Sequence, residues 1–283
     1  MLYLLTNYLP LQGRKDIKIS PQYSVLTMSS FEEATASSSS SSQVSHAWPS
    51  FSRGDFEYAS CYCEENCYKL IERLLSAPLS IDYEIYCIFI STDSSKTPLF
   101  CQQAAQTEEG FVMWDYHVIV FLSKKDRNDD DDVGFVLDLD TTIQPFPCPI
   151  SLYCNRTLRP ELPLKAEYQR LYRVVPGRTY LNSFSSDRSH MKESNTLAPP
   201  WPCIVGIEAK DDNTIDSYRY ITLKEESSSR LVELFENGNR SGGSGRGRVT
   251  SLVGEEEFGV VLREVDFLRW IGIDGCNSQD MLQ

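Results

Sequence analysis

One histidine and three aspartates can be set side by side by a single hairpin. Residues 111–140 read FVMWDYHVIVFLSKKDRNDDDDVGFVLDLD. Two apolar runs rich in β-branched and aromatic residues flank the polar stretch Ser123–Asp132. That pattern predicts a β-hairpin with a long loop. Centring the loop on residue 128 opposes His117 to Asp138, within one residue of register, and Asp115 to Asp140. Opposed side chains share a face with Cβ atoms about 4.5–5.5 Å apart, close enough for an Asp–His hydrogen bond. An imidazole oriented by a carboxylate is a general base. The bland alternative is a solvated polar face, since three carboxylates and an imidazole do not make an apolar core.

A nucleophile for that base stands upstream. Residues 60–76 read SCYCEENCYKLIERLLS. Ser60 suits an N-cap, and Glu64 and Glu65 suit a first turn, where they complement the helix dipole. Cys63, Cys67, Leu70, Ile71, Leu74 and Leu75 fall at helical spacing on one stripe. Cys63 therefore sits in the first turn, facing inward, where a helix N-terminus favours the thiolate. Any single cysteine here also suits the core as a small apolar residue, and Cys61 and Cys67 keep that reading. The order Cys, His, Asp is that of a nucleophile, its base and the base's orienter.

The elements that must position these groups can be read in outline. Tyr83–Ile90 is a buried strand and Pro98–Gln103 another. Thr141–Ile150, broken by Pro145, Pro147 and Pro149, is a loop leaving the hairpin. Leu162–Tyr172 reads as a helix, Phe184–Pro202 as irregular, and Val249–Val253 as a last strand. Trp114 and Tyr116 fall on the face opposite His117 and read as core. Glu256–Trp270 reads as a closing amphipathic helix. Residues 1–54, with the serine run Ser37–Ser42, lack the apolar content to pack and read as a disordered tail. Residues 55–283 then form a single catalytic domain with a flexible insertion near 208–248.

The totals narrow the function. Among 283 residues, 41% are hydrophobic, enough for a core. A net charge of −13 argues against a nucleic-acid surface or an anionic membrane, both of which need basic residues. No apolar run is long enough to span a bilayer. The nine cysteines are odd in number and several lie in strand-like runs, so they read as reduced thiols in the cytosol or nucleus. Cys61, Cys63 and Cys67 lack the paired spacing of a structural zinc site, and no metal is expected.

Several segments resemble, in one order, those of the protein N-terminal glutamine amidohydrolases. They are Cys61-Tyr62-Cys63-Glu64-Glu65-Asn66, Trp114-Asp115-Tyr116-His117-Val118, Asp138-Leu139-Asp140-Thr141, Pro145-Phe146-Pro147-Cys148 and Ser186-Asp187-Arg188-Ser189-His190-Met191. The resemblance covers Tyr58–Cys203 and Val249–Gly272. It implies an α+β fold: an α-β-α sandwich around an antiparallel sheet, with a transglutaminase-like, papain-related cysteine hydrolase core. It also implies that Cys63, His117 and Asp138 are the catalytic triad and that no metal or organic cofactor is used. The implied reaction turns an N-terminal glutamine into glutamate and ammonia through a thioacyl intermediate, a first step in a branch of the N-degron pathway. The expected partners are proteins or peptides with N-terminal glutamine, acted on by a monomer.

The acidic face then has a use. Asp115 and Asp140 are candidates for binding the substrate's α-ammonium, or else each caps a local turn or pairs with an arginine such as Arg188. Tyr62 borders the site because it precedes Cys63. His190 reads as a structural residue beside the site. A transglutaminase or cysteine protease on the same core, or a non-catalytic module that binds N-terminal residues, are the alternatives.

Overall fold

The computed structural model describes residues 51–108, 110–125, 133–186, 188–191, 196–211, 214–221 and 258–273. The serine-rich tail up to residue 50 and the strand expected at Val249–Val253 lie outside them.

Strand β1 (Tyr83–Ser91) reads YEIYCIFIS, a continuous apolar run rather than an alternating one. Such a run requires cover on both faces, and the fold supplies it. Strands β2 (Thr97–Leu99) and β3 (Val112–Trp114) form a small sheet. The main sheet has six strands: β1, β4 (His117–Lys124), β5 (Gly134–Leu137), β6 (Cys148–Pro149), β7 (Leu171–Pro176) and β8 (Val260–Arg263). Their order is β6-β5-β4-β1-β7-β8, and every pairing is antiparallel. Helix α1 (Cys63–Leu75) lies on one face, where Cys67, Leu70, Ile71 and Leu74 meet Cys87, Phe89, Val118 and Val120. Helix α2 (Ile150–Tyr153), extended as a π-helical turn through Leu158, covers the other face. There Tyr86, Ile88, Ile119 and Phe121 meet Tyr153, Phe267 and Trp270. The chain is thus a mixed α/β fold with a large antiparallel sheet between helices.

Three local expectations are corrected. Leu162–Tyr172 is not a helix. It holds only a 3-10 turn at Ala166–Tyr168 before β7, because Tyr172 and Val174 pack on one face of the sheet while Leu171 and Val175 pack on the other. That alternation is a strand's period, not a helix's. Glu256–Trp270 is not one helix either: Val260–Arg263 pairs with β7, and helix α5 (Glu264–Trp270) starts only afterwards. Of the insertion expected to be flexible near 208–248, residues 222–248 lie outside the described residues, and residues 214–221 are packed. Helix α4 (Ile215–Arg219) buries Ile215 and Tyr218, and the Arg173 guanidinium donates to the Tyr218 carbonyl at 3.0 Å. Helix α3 (Gly177–Ser183) follows β7 directly, and a Cβ at its Gly177 would crowd Ile71 and Ile85.

The C-terminal helix is tied to the sheet by a buried charge. Arg170 donates to Glu264 at 2.6 and 3.0 Å and to the Pro98 carbonyl at 3.2 Å, and the Tyr172 hydroxyl adds a bond to Glu264 at 2.9 Å. Removing one partner of a buried pair leaves the other charge uncompensated, a loss of about 3–5 kcal/mol. Arg170→Ala should lower the unfolding free energy by about that amount in urea titrations. A loss below about 1 kcal/mol, typical of exposed pairs, would show that this network does not hold α5 in place.

Candidate active site

The start of α1 is held from several sides. Its N-cap is Tyr62, not Ser60, and its first turn carries no side-chain cap. Cys61 enters it at φ 67, a left-handed conformation. The Asn66 amide clamps the entering chain, accepting from the Ala59 N–H and donating to the Ala59 carbonyl, both at 2.8 Å. Glu65 is buried rather than solvated. It receives Arg188 at 2.8 and 2.6 Å and the Trp201 indole N–H at 2.6 Å. The Arg188 guanidinium also lies over the Tyr62 ring, which is 2% exposed and packs with Ala59 and Met191. The Tyr62 side chain is therefore engaged in packing beneath Arg188.

His117 opens β4, and Asp138 lies just past the end of β5. Their side chains join: His117 Nε2 and Asp138 Oδ1 are 3.0 Å apart, both fully buried. The register differs from the expected one by two residues. Val120 pairs with Leu137, which would oppose His117 to Asp140 and leave Asp138 diagonal to it. A two-residue shift keeps every side chain on its face, so the expected pair still forms. Asp138 is saturated with donors. Its Oδ1 also accepts the Asp140 N–H at 2.9 Å, and its Oδ2 accepts Gln102 Nε2 at 3.1 Å and the Tyr153 hydroxyl at 2.9 Å. The Trp114 indole donates to Gln102 Oε1 at 3.2 Å, which orients that amide with its nitrogen toward Asp138. Trp114 also stacks on the His117 ring, 5.4 Å between centroids at 17°. His117 Nδ1 is buried without a hydrogen-bond partner.

Helix α1 crosses this end of the sheet. The Cys67 thiol donates to the Val118 carbonyl at 3.4 Å, and Cys63 stands one turn, about 5.4 Å, nearer the helix start. Cys63 is half-buried, and its thiol donates to Glu64 Oε2 at 3.5 Å. Asp140 is buried and accepts the Tyr58 hydroxyl at 2.5 Å. Asp115 accepts its neighbour Tyr116's N–H at 3.1 Å, the local turn cap weighed from the sequence. His190's side chain lies outside the described residues. Among those residues, His117, Asp138 and Asp140 are the one group of three whose potential metal-ligating atoms lie within 4.8 Å of one another. Protein donors already engage both carboxylates.

Four contributors were missed or misplaced by sequence reasoning. Trp114 stacks on the histidine instead of facing away from it, because the chain breaks at Asp115–Tyr116. β3 pairs with β2 and β4 with β1, so alternation is not carried across the break. Gln102 and Tyr153 come from a loop and a helix distant in sequence. Gln102 is brought in by its bridge to Thr141, for which local pattern carries no signal. Glu64, read only as a first-turn residue that complements the helix dipole, is 2% exposed and receives the Tyr116 hydroxyl at 3.1 Å. Tyr116 is core, as expected.

The family model for N-terminal glutamine amidase matches residues 58–270. The chain belongs to the N-terminal glutamine amidase family. Proteins named protein N-terminal glutamine amidohydrolase are similar to it. One from Danio rerio is 41% identical over 157 residues, 54% of this chain and 74% of that protein. One from Oryza sativa subsp. indica is 37% identical over 188 residues, 64% of this chain and 79% of that protein. The Homo sapiens protein is 38% identical over 152 residues, 52% of this chain and 70% of that protein.

In this amidase-family chain the site is strongly acidic. Burial pulls the His117 pKa down, but the charge and hydrogen bond of Asp138, with Asp140 and Glu64, win and raise it. Burial pulls Asp138 up, and His117, Gln102 and the Asp140 N–H more than offset it, so Asp138 stays below the usual range. Asp140 is raised, by burial and by Asp138. Protein packed around the Cys63 sulfur holds its thiol well above the ordinary value, and the charges of Glu64, Asp140 and Asp115 add to this. The helix N-terminus alone does not make it a thiolate.

Glu64 is raised to about 7, first by burial and then by Glu65. Folded Glu64 therefore holds its proton more tightly than the unfolded chain does. The stability this contributes is complete below the ordinary carboxylate range and is lost as pH rises through about 7. At about 1.36 kcal/mol per unit the loss is up to about 3 kcal/mol. Thermal melts between about pH 5 and pH 8.5 should show a smaller fall in stability for Glu64→Gln than for the parent. Parallel curves would show that Glu64 does not titrate there.

Proposed function

We propose that the chain deamidates N-terminal glutamine of proteins and peptides, with Cys63 as nucleophile, His117 as base and acid, and Asp138 as orienter. The observation that carries this reading is the buried His117–Asp138 hydrogen bond through Nε2, which leaves Nδ1 without a partner. It lies at the end of the sheet where α1 begins with Cys63. A helix-borne cysteine beside a strand-borne histidine is also the arrangement of a transglutaminase-like, papain-related core.

The steps follow from the groups present. The Cys63 thiol gives its proton to His117 Nδ1 as Sγ attacks the glutamine side-chain carbonyl carbon. The Cys63 N–H, in a first turn without intrahelical acceptors, is a donor for the oxyanion. The imidazolium protonates the leaving amide nitrogen, and ammonia departs as the thioester forms. His117 then takes a proton from water, hydroxide adds to the thioester, and the collapse yields glutamate and the Cys63 thiol. Asp138 holds the proton on Nε2 throughout and stabilises the imidazolium. The acidic wall suits a substrate that brings an ammonium. Asp140 and Asp115, whose charges reach Cys63, contribute to that field. The setting we infer is a monomer working in the cytosol or nucleus.

Ammonia release from three peptides tests the reading: one starting with Gln, its N-acetylated form, and one with Gln only internally. Release is expected from the first alone. Equal release from the internal glutamine, or amine transfer or backbone cleavage in place of release, would overturn it. Cys63→Ala and His117→Ala should fall to background, and Cys61→Ser should stay active. Asp138→Asn should keep more residual activity than either, with a loss of up to about 10⁴-fold from the wrong tautomer. An inactive Cys61→Ser beside an active Cys63→Ala would reassign the nucleophile.

A further inference from the structure

Among the described buried carboxylates, Glu65, Asp138 and Glu264 are each hydrogen-bonded to a basic side chain, and Asp140 and Glu64 are not. Glu65 has Arg188 and Trp201. Asp138 has His117, Gln102 and Tyr153. Asp140 has the Tyr58 hydroxyl and lies in the field of His117. Glu264, less deeply buried, has Arg170. Glu64 is 2% exposed and has the Tyr116 hydroxyl at 3.1 Å and the weak thiol donor of Cys63 at 3.5 Å. No lysine or arginine among the described residues pairs with it. A buried carboxylate without a counter-ion costs several kcal/mol, and such groups are normally paired or neutralised. Of the two without a bonded cation, Glu64 touches the residue that acts on a cationic substrate.

We propose that Glu64 receives the α-ammonium of the substrate's first residue, and that this contact releases the Cys63 thiol for attack. The inference rests on the reading of the chain as an N-terminal glutamine amidohydrolase. In glutamine three carbons separate the ammonium nitrogen from the side-chain carbonyl carbon. Attack needs that carbon about 3–3.5 Å from Sγ, and a charged N–H···O contact needs the nitrogen about 2.7–2.9 Å from Oε2. Oε2 is 3.5 Å from Sγ, so one residue reaches both. Asparagine, one methylene shorter, draws its carbonyl away from the sulfur when its ammonium is held.

Coupling follows from the same contact. In the empty site Glu64 accepts the thiol's hydrogen, and above about 7, where it is ionised, its negative charge opposes thiolate formation. An ammonium on Oε2 cancels that charge and displaces the thiol, leaving the proton free to go to His117. An acetylated N-terminus or an internal glutamine brings no charge and leaves the thiol where it was. The free amine is therefore read in kcat as well as in KM. Among the described residues the Cys63 thiol bonds to Glu64 and not to Asp115 or Asp140, which places those two in the field rather than at the ammonium.

The test compares the parent with Glu64→Gln, which keeps the shape and the acceptor for Tyr116, and with Asp115→Asn and Asp140→Asn. Glu64→Gln should lose about 10- to 100-fold in kcat/KM on a Gln-starting peptide, with its advantage over the acetylated peptide narrowed. A second readout needs no turnover. Iodoacetamide alkylation of Cys63 in the empty enzyme should have a lower pH midpoint in Glu64→Gln than in the parent, because the opposing charge is gone. If Glu64→Gln is insoluble, Glu64→Asp carries the test, raising KM for the free amine and leaving the acetylated peptide unchanged. An undiminished free-amine preference in Glu64→Gln overturns the ammonium site, as does a loss that appears only in Asp115→Asn or Asp140→Asn. An alkylation midpoint that is unmoved or raised overturns the coupling. If the parent releases no ammonia from the Gln-starting peptide, the amidohydrolase reading fails and this inference falls with it.

Discussion

The site depends on one buried hydrogen bond, from His117 Nε2 to Asp138 Oδ1 at 3.0 Å. It decides which imidazole nitrogen carries the proton and which is left without a partner. A carboxylate at that depth survives as an anion only if it is well solvated by the protein. Asp138 receives donors from β4, from its own turn, from the loop at Gln102 and from α2 at Tyr153. Those segments are far apart in sequence and meet only when the sheet and its flanking helices are assembled. Trp114, stacked on the histidine and bonded to Gln102, links the orientation of the ring to that of the amide behind it.

The cysteine side is built on a different principle. The first turn of α1 is held by charge and amide clamps rather than by apolar packing alone. Arg188 and Trp201 fix Glu65, and Asn66 fixes the chain at Ala59. This leaves Glu64 without a bonded cation next to a thiol, and above about 7, where it is ionised, it suppresses thiolate in the empty enzyme. The cost makes sense if the missing positive charge is supplied by the substrate. Restraint on the resting nucleophile and selectivity for a free α-amine are then one device.

Much of this was legible in the sequence, unevenly. The apolar runs of β1 and β4 and the helical stripe from Cys63 to Leu74 are local patterns, and they predicted their elements. The His117–Asp138 pairing was legible because side-chain alternation tolerates a shift of two residues, although the loop centre gave the wrong register. Trp114 was misplaced because one strand was assumed where two strands join different partners. Gln102 and Tyr153 could not be found, since their roles arise from long-range contacts with no local period. Leu162–Tyr172 and Glu256–Trp270 were misread because a short apolar run fits helix and strand alike, and only the neighbouring strands decide. The family was carried by clustered motifs, not by periodicity.

The central claim is that Asp138 fixes His117 with its proton on Nε2 and Nδ1 bare toward the thiol. Nitrogen NMR of the imidazole in a histidine-labelled sample tests it most directly. Above the imidazolium range the account predicts a protonated Nε2, an unprotonated Nδ1, and loss of that preference in Asp138→Asn. A proton on Nδ1, or a tautomer indifferent to Asp138→Asn, would contradict it.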